Sequence, residues 1–134
     1  MTNKINNVQM ILSIIIPVYN EEKTVIEILK KIKDNQSNLF KYEIIVIDDG
    51  STDQTRKLLE SNKNLYDKLL VNESNKGKGF CVKKGISNAS GTHIIFQDAD
   101  LEYNPADYNK FEKIFVDFDA DGIIGSRFVY SNYT

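Results

Sequence analysis

The sequence predicts an α/β sandwich with a mostly parallel sheet, and three observations carry the prediction. Short apolar runs rich in β-branched residues alternate strictly with stretches of helical periodicity, the pattern of βαβ units. Those runs are apolar without alternation, as strands buried on both faces are. At 134 residues the chain can bury a real core but leaves little room for a second domain. Right-handed crossovers then place the strands parallel with helices over the sheet.

Residues 1–10 are polar and are expected to form a disordered tail, with the domain running from 11 to 134. Leu12 to Val18 reads as the first strand, through three consecutive isoleucines. Asn20 is expected to cap a helix with Glu21 and Glu22 in its first turn and Val25, Ile28, Leu29 and Ile32 on one face. Tyr42 to Ile47 is the second strand. Ser51-x-x-Gln54 has the form of a capping box for a helix carrying Leu58 and Leu59. Leu69 to Val71 is a short third strand. Gly77 to Ser90 reads as a helix weakened by Gly85 and closed by Gly91. Thr92 to Gln97 is the fourth strand. Asn104-Pro105 opens another helix, with Tyr108, Phe111, Ile114 and Phe115 inward. Gly122 to Gly125 is a fifth strand.

Composition excludes several functions. Seventeen Lys+Arg against nineteen Asp+Glu give a net charge of −2, which argues against a nucleic-acid binder living on phosphate attraction. One Cys and one His rule out an intramolecular disulfide and a Cys/His zinc site. The single Cys suits a reducing, cytoplasmic compartment. The longest apolar stretch, Ile11 to Ile16, is far short of the roughly 20 residues that span a bilayer.

In a parallel sheet, ligands bind beyond the carboxyl ends of the strands, and four polar clusters fall there: Pro17-Val18-Tyr19-Asn20-Glu21, Asp48-Asp49-Gly50-Ser51, Asp98-Ala99-Asp100-Leu101-Glu102 and Gly125-Ser126-Arg127. Asp98 and Asp100, with Glu102 two further on, present carboxylates at alternate positions of extended chain. Converging, they suit Mg²⁺ or Mn²⁺ with positions left for phosphate oxygens; as isolated residues they are equally ordinary turn carboxylates. Asp48-Asp49-Gly50-Ser51 is turn and cap chemistry, or places Asp48 to accept hydrogen bonds from a base or ribose. Asn75-Lys76-Gly77-Lys78-Gly79 opens a helix, where glycines and a helix N-terminus favour an anion, although the spacing is neither a P-loop nor a dinucleotide fingerprint. Arg127 can grip a diphosphate or lie on the surface, and Tyr19 can stack on a base or pack at a strand end. Cys81 reads as a small core residue and His93 as a structural or surface one. No Ser/His or Cys/His pair supports covalent catalysis.

With these residues set out, the chain resembles the catalytic domain of family 2 inverting glycosyltransferases of GT-A fold. It is most similar to the branch acting on polyprenyl phosphates. The resemblance rests on five blocks in the family's order: LSIIIPVYNEE from Leu12, YEIIVIDDGSTD from Tyr42, NKGKG from Asn75, GTHIIFQDADLEYNP from Gly91, and GSRF from Gly125. It implies that Pro17, Tyr19, Glu21, Val46 and Asp48 hold the nucleotide of a UDP- or GDP-linked sugar donor. Asp98 and Asp100 would be the metal-binding D-x-D, with Glu102 a third ligand and Ala99 touching the nucleotide sugar through its backbone. Arg127 would contact phosphate, with Lys78 beside it. Asp100 and Arg127 are thus the candidate catalytic residues, and a lipid phosphate is the expected acceptor. Members continue past Gly-Ser-Arg-Phe into an acceptor half and often into membrane helices. The expectation is therefore a donor-binding domain incomplete at its C-terminus, cytoplasmic or at the cytoplasmic face of a membrane. The other reading is a weakly active or inactive nucleotide-sugar-binding piece.

Overall fold

In a computed structural model, residues 10–35, 37 and 39–99 are described, together with the strand backbones of 122–124 and 129–130. Six strands, β1 (Met10–Val18), β2 (Phe40–Asp48), β3 (Lys68–Val71), β4 (His93–Phe96), β5 (Gly122–Ile124) and β6 (Val129–Tyr130), form one sheet in the order 3-2-1-4-5-6. The first five are parallel, and β6 returns antiparallel to β5. The expected mostly parallel α/β sheet is what forms; the antiparallel β6 adds to it. Met10, assigned to the tail from composition, opens β1 opposite Phe40, and residues 1–9 lie outside the described residues. So does the helix expected from Asn104.

The period of two along the central strands builds the layers. Leu12, Ile14, Ile16 and Val18 of β1, with Ile44 and Val46 of β2, face the helix α1 (Val25–Asp34), which contributes Val25, Ile28, Leu29 and Ile32. Leu59 of α2 (Thr55–Glu60) and Leu65 of the 3-10 turn Lys63–Leu65 complete that layer. Ile15, Ile45 and Ile47 point to the opposite face, against Cys81 of α3 (Lys78–Ser87). Both faces are covered, which explains the unbroken apolar runs.

Three local expectations are corrected. The helix after β1 starts at Val25 with Thr24 at its N-cap position and no side-chain cap, so Glu21 and Glu22 precede it. Asn20 instead adopts φ 52°, a left-handed conformation Asn tolerates, because its side chain serves the neighbouring loop. The Ser51/Gln54 capping box does not form. Gln54 occupies the N-cap position of α2 without a side-chain cap bond, the Asp53 carboxylate accepts the Thr55 N–H at 2.8 Å, and Ser51 Oγ accepts the Asn20 N–H at 2.9 Å. Helix α3 stops at Ser87, where Asn88 donates its N–H to the Gly85 carbonyl and its amide to the Lys84 carbonyl. Gly91 lies further on and packs against β1: a Cβ there would sit 2.4 Å from Ser13 Oγ and 2.8 Å from the Ile11 carbonyl.

Towards the amino-terminal side of the sheet, Glu43 accepts hydrogen bonds from Ser13 Oγ (2.6 Å), the Ser90 N–H (2.9 Å) and Ser90 Oγ (2.7 Å) and pairs with Lys68 at 3.4 Å. Burial acts to raise its pKa, but these four donors more than offset it and hold the carboxyl down at about 2. His93 packs edge-on against Phe40, ring centres 5.1 Å apart, in the structural role expected.

Candidate functional site

The order 3-2-1-4 means that the chain runs outward from β1 to β3 and then crosses to the other side of β1. Loops leaving β1 and β4 therefore diverge, and the space between them is where parallel sheets hold ligands. Pro17 sharpens the divergence. The last β1–β4 pair is Ile15 with Phe96, and the Gln97 N–H still bonds the Ile15 carbonyl at 3.0 Å. Pro17 lies two residues on, facing the same side, and has no N–H to extend the ladder. A cleft of about 240 Å³ opens there, lined by Pro17, Glu21, Asp49, Lys78, Cys81, Asp98 and Ala99.

Three loops are bound to one another before any ligand arrives. Asn20 Oδ1 accepts the N–H groups of Thr52 (2.8 Å) and Asp53 (3.3 Å). Glu21 donates its N–H to Thr55 Oγ1 at 2.9 Å, and Glu22 Oε1 accepts the Gln54 N–H at 2.9 Å. Gly50 (φ 75°) lets the third loop press close, since a Cβ would lie 2.6 Å from the Ser74 carbonyl carbon. Thr24 Oγ1 reaches across to the Ala99 carbonyl at 2.6 Å, joining the β1 loop to the end of β4.

Asp49 holds the basic loop. Its buried carboxylate accepts from Asn72 Nδ2 (2.9 Å), the Lys76 N–H (2.7 Å) and the Gly77 N–H (3.0 Å). Burial would raise its pKa, but these donors bring it below the ordinary carboxylate value. Asp49 thus takes two of the N–H groups that this glycine-rich helix start would offer a phosphate. The Lys78 ammonium beside them sits 2.5 Å from Asp98 Oδ1. Asn72 also contacts Cys81 Sγ at 3.4 Å and accepts from Lys84 at 2.8 Å. Burial first, then the charge of Asp49, push the Cys81 thiol up to about 11.

The structure brings together Pro17, Glu21, Lys78, Asp98 and Ala99 of the predicted site residues. Tyr19, 45% exposed, lies in the loop that follows β1. Two predicted nucleotide contacts are withheld from the cleft. Val46 is fully buried in the core beneath α1, two residues before the end of β2. Asp48 is fully buried too, accepting the Ser51 N–H at 3.1 Å and Arg56 Nε at 3.3 Å, which is turn and tether chemistry. Asp100, Glu102 and Arg127 lie outside the described residues. Sequence reasoning missed Asp49, Asn72 and Thr24. Strand parity would have separated Asp49 from Asp48: the even residues of β2 face α1 and the odd ones face α3.

The cleft is acidic. Its lining carries three carboxylates, from Glu21, Asp49 and Asp98, against one ammonium, so 1 − 3 = −2. Asp98 offers hard oxygens from a side chain 20% exposed, and a cation, the Lys78 ammonium, already stands against it. Among the described residues no group of three His, Cys, Asp or Glu gathers to hold a metal.

A sequence model described as glycosyl transferase family 2 matches residues 13–134. The chain belongs to that family. This family 2 chain is 37% identical over 123 residues to a dolichyl-phosphate beta-glucosyltransferase of Dictyostelium discoideum, covering 84% of the chain and 37% of that protein. It is 37% identical over 106 residues to an undecaprenyl-phosphate 4-deoxy-4-formamido-L-arabinose transferase of Proteus mirabilis, covering 76% of the chain and 31% of that protein. Among solved structures, S. aureus TarS 1–349 in complex with UDP superposes with a TM-score of 0.70 at 27% identity, over 84% of this chain and 34% of that one. The fold is the GT-A arrangement. The chain thus spans about a third of the length of these relatives. No helix among the described residues is long and apolar enough to cross a membrane.

Proposed function

We propose that this chain carries the donor side of a metal-dependent glycosyltransferase, which transfers a sugar from a nucleoside-diphosphate sugar to a polyprenyl phosphate with inversion. The observation that carries the reading is the cleft between β1 and β4. It opens at the switch point of the sheet, its lining is net negative, and Lys78 and Asp98 meet in it. A diphosphate anion does not enter such a lining without a cation, and Mg²⁺ or Mn²⁺ on Asp98, with Asp100 and Glu102, supplies one. Bound there, the metal would neutralise charge on the departing nucleoside diphosphate.

The chain's own residues do the rest. Tyr19 and Pro17 form one wall for the nucleotide, Glu21 accepts from it, and the Ala99 backbone lies beside the sugar. Lys78 and Arg127 take up negative charge on the leaving group. Opposite-face attack by a lipid phosphate needs no strong general base, because a phosphate monoester with a second pKa near 6 is already mostly ionised at neutral pH. The printed activities of the Dictyostelium and Proteus relatives support a polyprenyl-phosphate acceptor, and the UDP complex of TarS supports a nucleotide donor. Such an acceptor would place the reaction at the cytoplasmic face of a membrane. A nucleotide-sugar binder without turnover is the second reading, for which the donor cleft by itself suffices.

Calorimetric titration with UDP and GDP, with Mg²⁺ or Mn²⁺ and with chelator, tests the donor site. Binding is expected only with metal and is expected to be lost in Asp98→Ala. Metal-independent binding, or wild-type binding by Asp98→Ala, overturns it. Transfer of labelled sugar to polyprenyl phosphate separates the two readings.

A further inference from the structure

Lys78 occupies a peculiar position. Its backbone is fixed, because Asp49 pins the preceding Lys76 and Gly77 N–H groups. Its side chain is 61% exposed, yet lies across the cleft on Asp98, the carboxylate read above as a metal ligand. A cation therefore already sits where a cation is needed. Resting on that reading of Asp98, we propose that Lys78 is a built-in competitor of the metal. In the nucleotide-free protein its ammonium holds Asp98, and the divalent ion gains full access to this carboxylate only as the ammonium moves to the diphosphate.

The geometry makes such an exchange a side-chain motion alone. The four-carbon stem of lysine swings while the loop stays held, and the ammonium trades one anion for another. Nucleotide then promotes metal binding in two ways, by offering phosphate oxygens and by drawing Lys78 from Asp98. Linkage requires the converse, that metal on Asp98 frees Lys78 and tightens nucleotide binding.

Electron paramagnetic resonance of free Mn²⁺ measures the metal affinity of the 134-residue chain without nucleotide, for wild type, Lys78→Met, Lys78→Arg and Asp98→Asn. Removing the competing charge in Lys78→Met is expected to tighten Mn²⁺ binding about two- to fivefold, the range that an exposed ion pair spans. Lys78→Arg keeps a cation and stays near wild type. At saturating UDP the advantage of Lys78→Met disappears or reverses, since the lysine's contact with phosphate is lost as well. Unchanged or weaker Mn²⁺ binding by Lys78→Met without nucleotide overturns the proposal, as does equal tightening by Lys78→Arg. Asp98→Asn distinguishes the failures. If it keeps wild-type Mn²⁺ affinity, the metal reading itself falls; if it loses affinity while Lys78→Met is unmoved, only the competition falls.

Discussion

Replacing Glu43 by Gln keeps the shape of the side chain and removes its charge from a site built for a carboxylate. Only 13% of that side chain is exposed, and its oxygens meet the hydroxyls of Ser13 and Ser90, the Ser90 N–H and the Lys68 ammonium. The carboxyl is held at about 2 against an ordinary 4.5. At 1.36 kcal/mol for each tenfold change in proton affinity, the ionised form is favoured by about 3 kcal/mol in the fold. The sign follows from the lowered pKa. This stability is fully present above pH 4.5 and is lost as pH falls from there through about 2. Glu43→Gln is therefore expected to lose about 3 kcal/mol at pH 7, a large share of a small domain's stability, and to converge on wild type as pH approaches 2. Urea denaturation followed by circular dichroism, from pH 7 down to pH 2.5, measures both curves. A deficit that stays constant across that range, or one below about 0.5 kcal/mol at pH 7, where ordinary surface substitutions fall, would refute the reasoning.

Gly85→Ala, a helix-favouring exchange on propensity alone, is expected to lower the melting temperature. The new Cβ would lie 2.5 Å from Ile15 Cγ2 and 3.1 Å from Ile47 Cδ1, and overpacking of this kind costs about 1–3 kcal/mol. A melting temperature at or above wild type in Gly85→Ala contradicts the packing. Cys81, buried and with its thiol raised to about 11, should resist Ellman's reagent at pH 8 in the folded protein and react freely in urea. Equal rates in the two states would show that the thiol is open to solvent.

The fold was legible because its signals are local. Consecutive isoleucines in β1 and the four apolar positions of α1 declare buried elements without knowledge of the neighbours. Helix and loop chemistry was less legible wherever the partner is distant. Asn20, Glu21 and Glu22 resemble a helix start, but their partners are Ser51 to Thr55, more than thirty residues away. Gly85 reads as a weakness in a helix, and only the sheet beneath shows that α3 rests on Ile15 there. At the site, Asp98 was read from its place at a strand end and Lys78 from a helix start. Pro17, Glu21, Ala99 and Val46 took their roles from resemblance, as Asp48 did in part, and the structure buries Val46 and Asp48. Asp49 stood out only as part of a turn, because its partners are the distant Asn72 and two backbone N–H groups that leave no mark in a sequence.

The reciprocal bonds between residues 20–22 and 51–55 have a consequence for how such a chain can change over time. A residue without a side-chain acceptor at position 20 gives up the N–H groups of Thr52 and Asp53; one at 22 gives up that of Gln54. Neither stretch can drift alone without loosening its hold on the other. The two behave as one inherited word spelled in two places, and a graft from a relative would have to carry both halves.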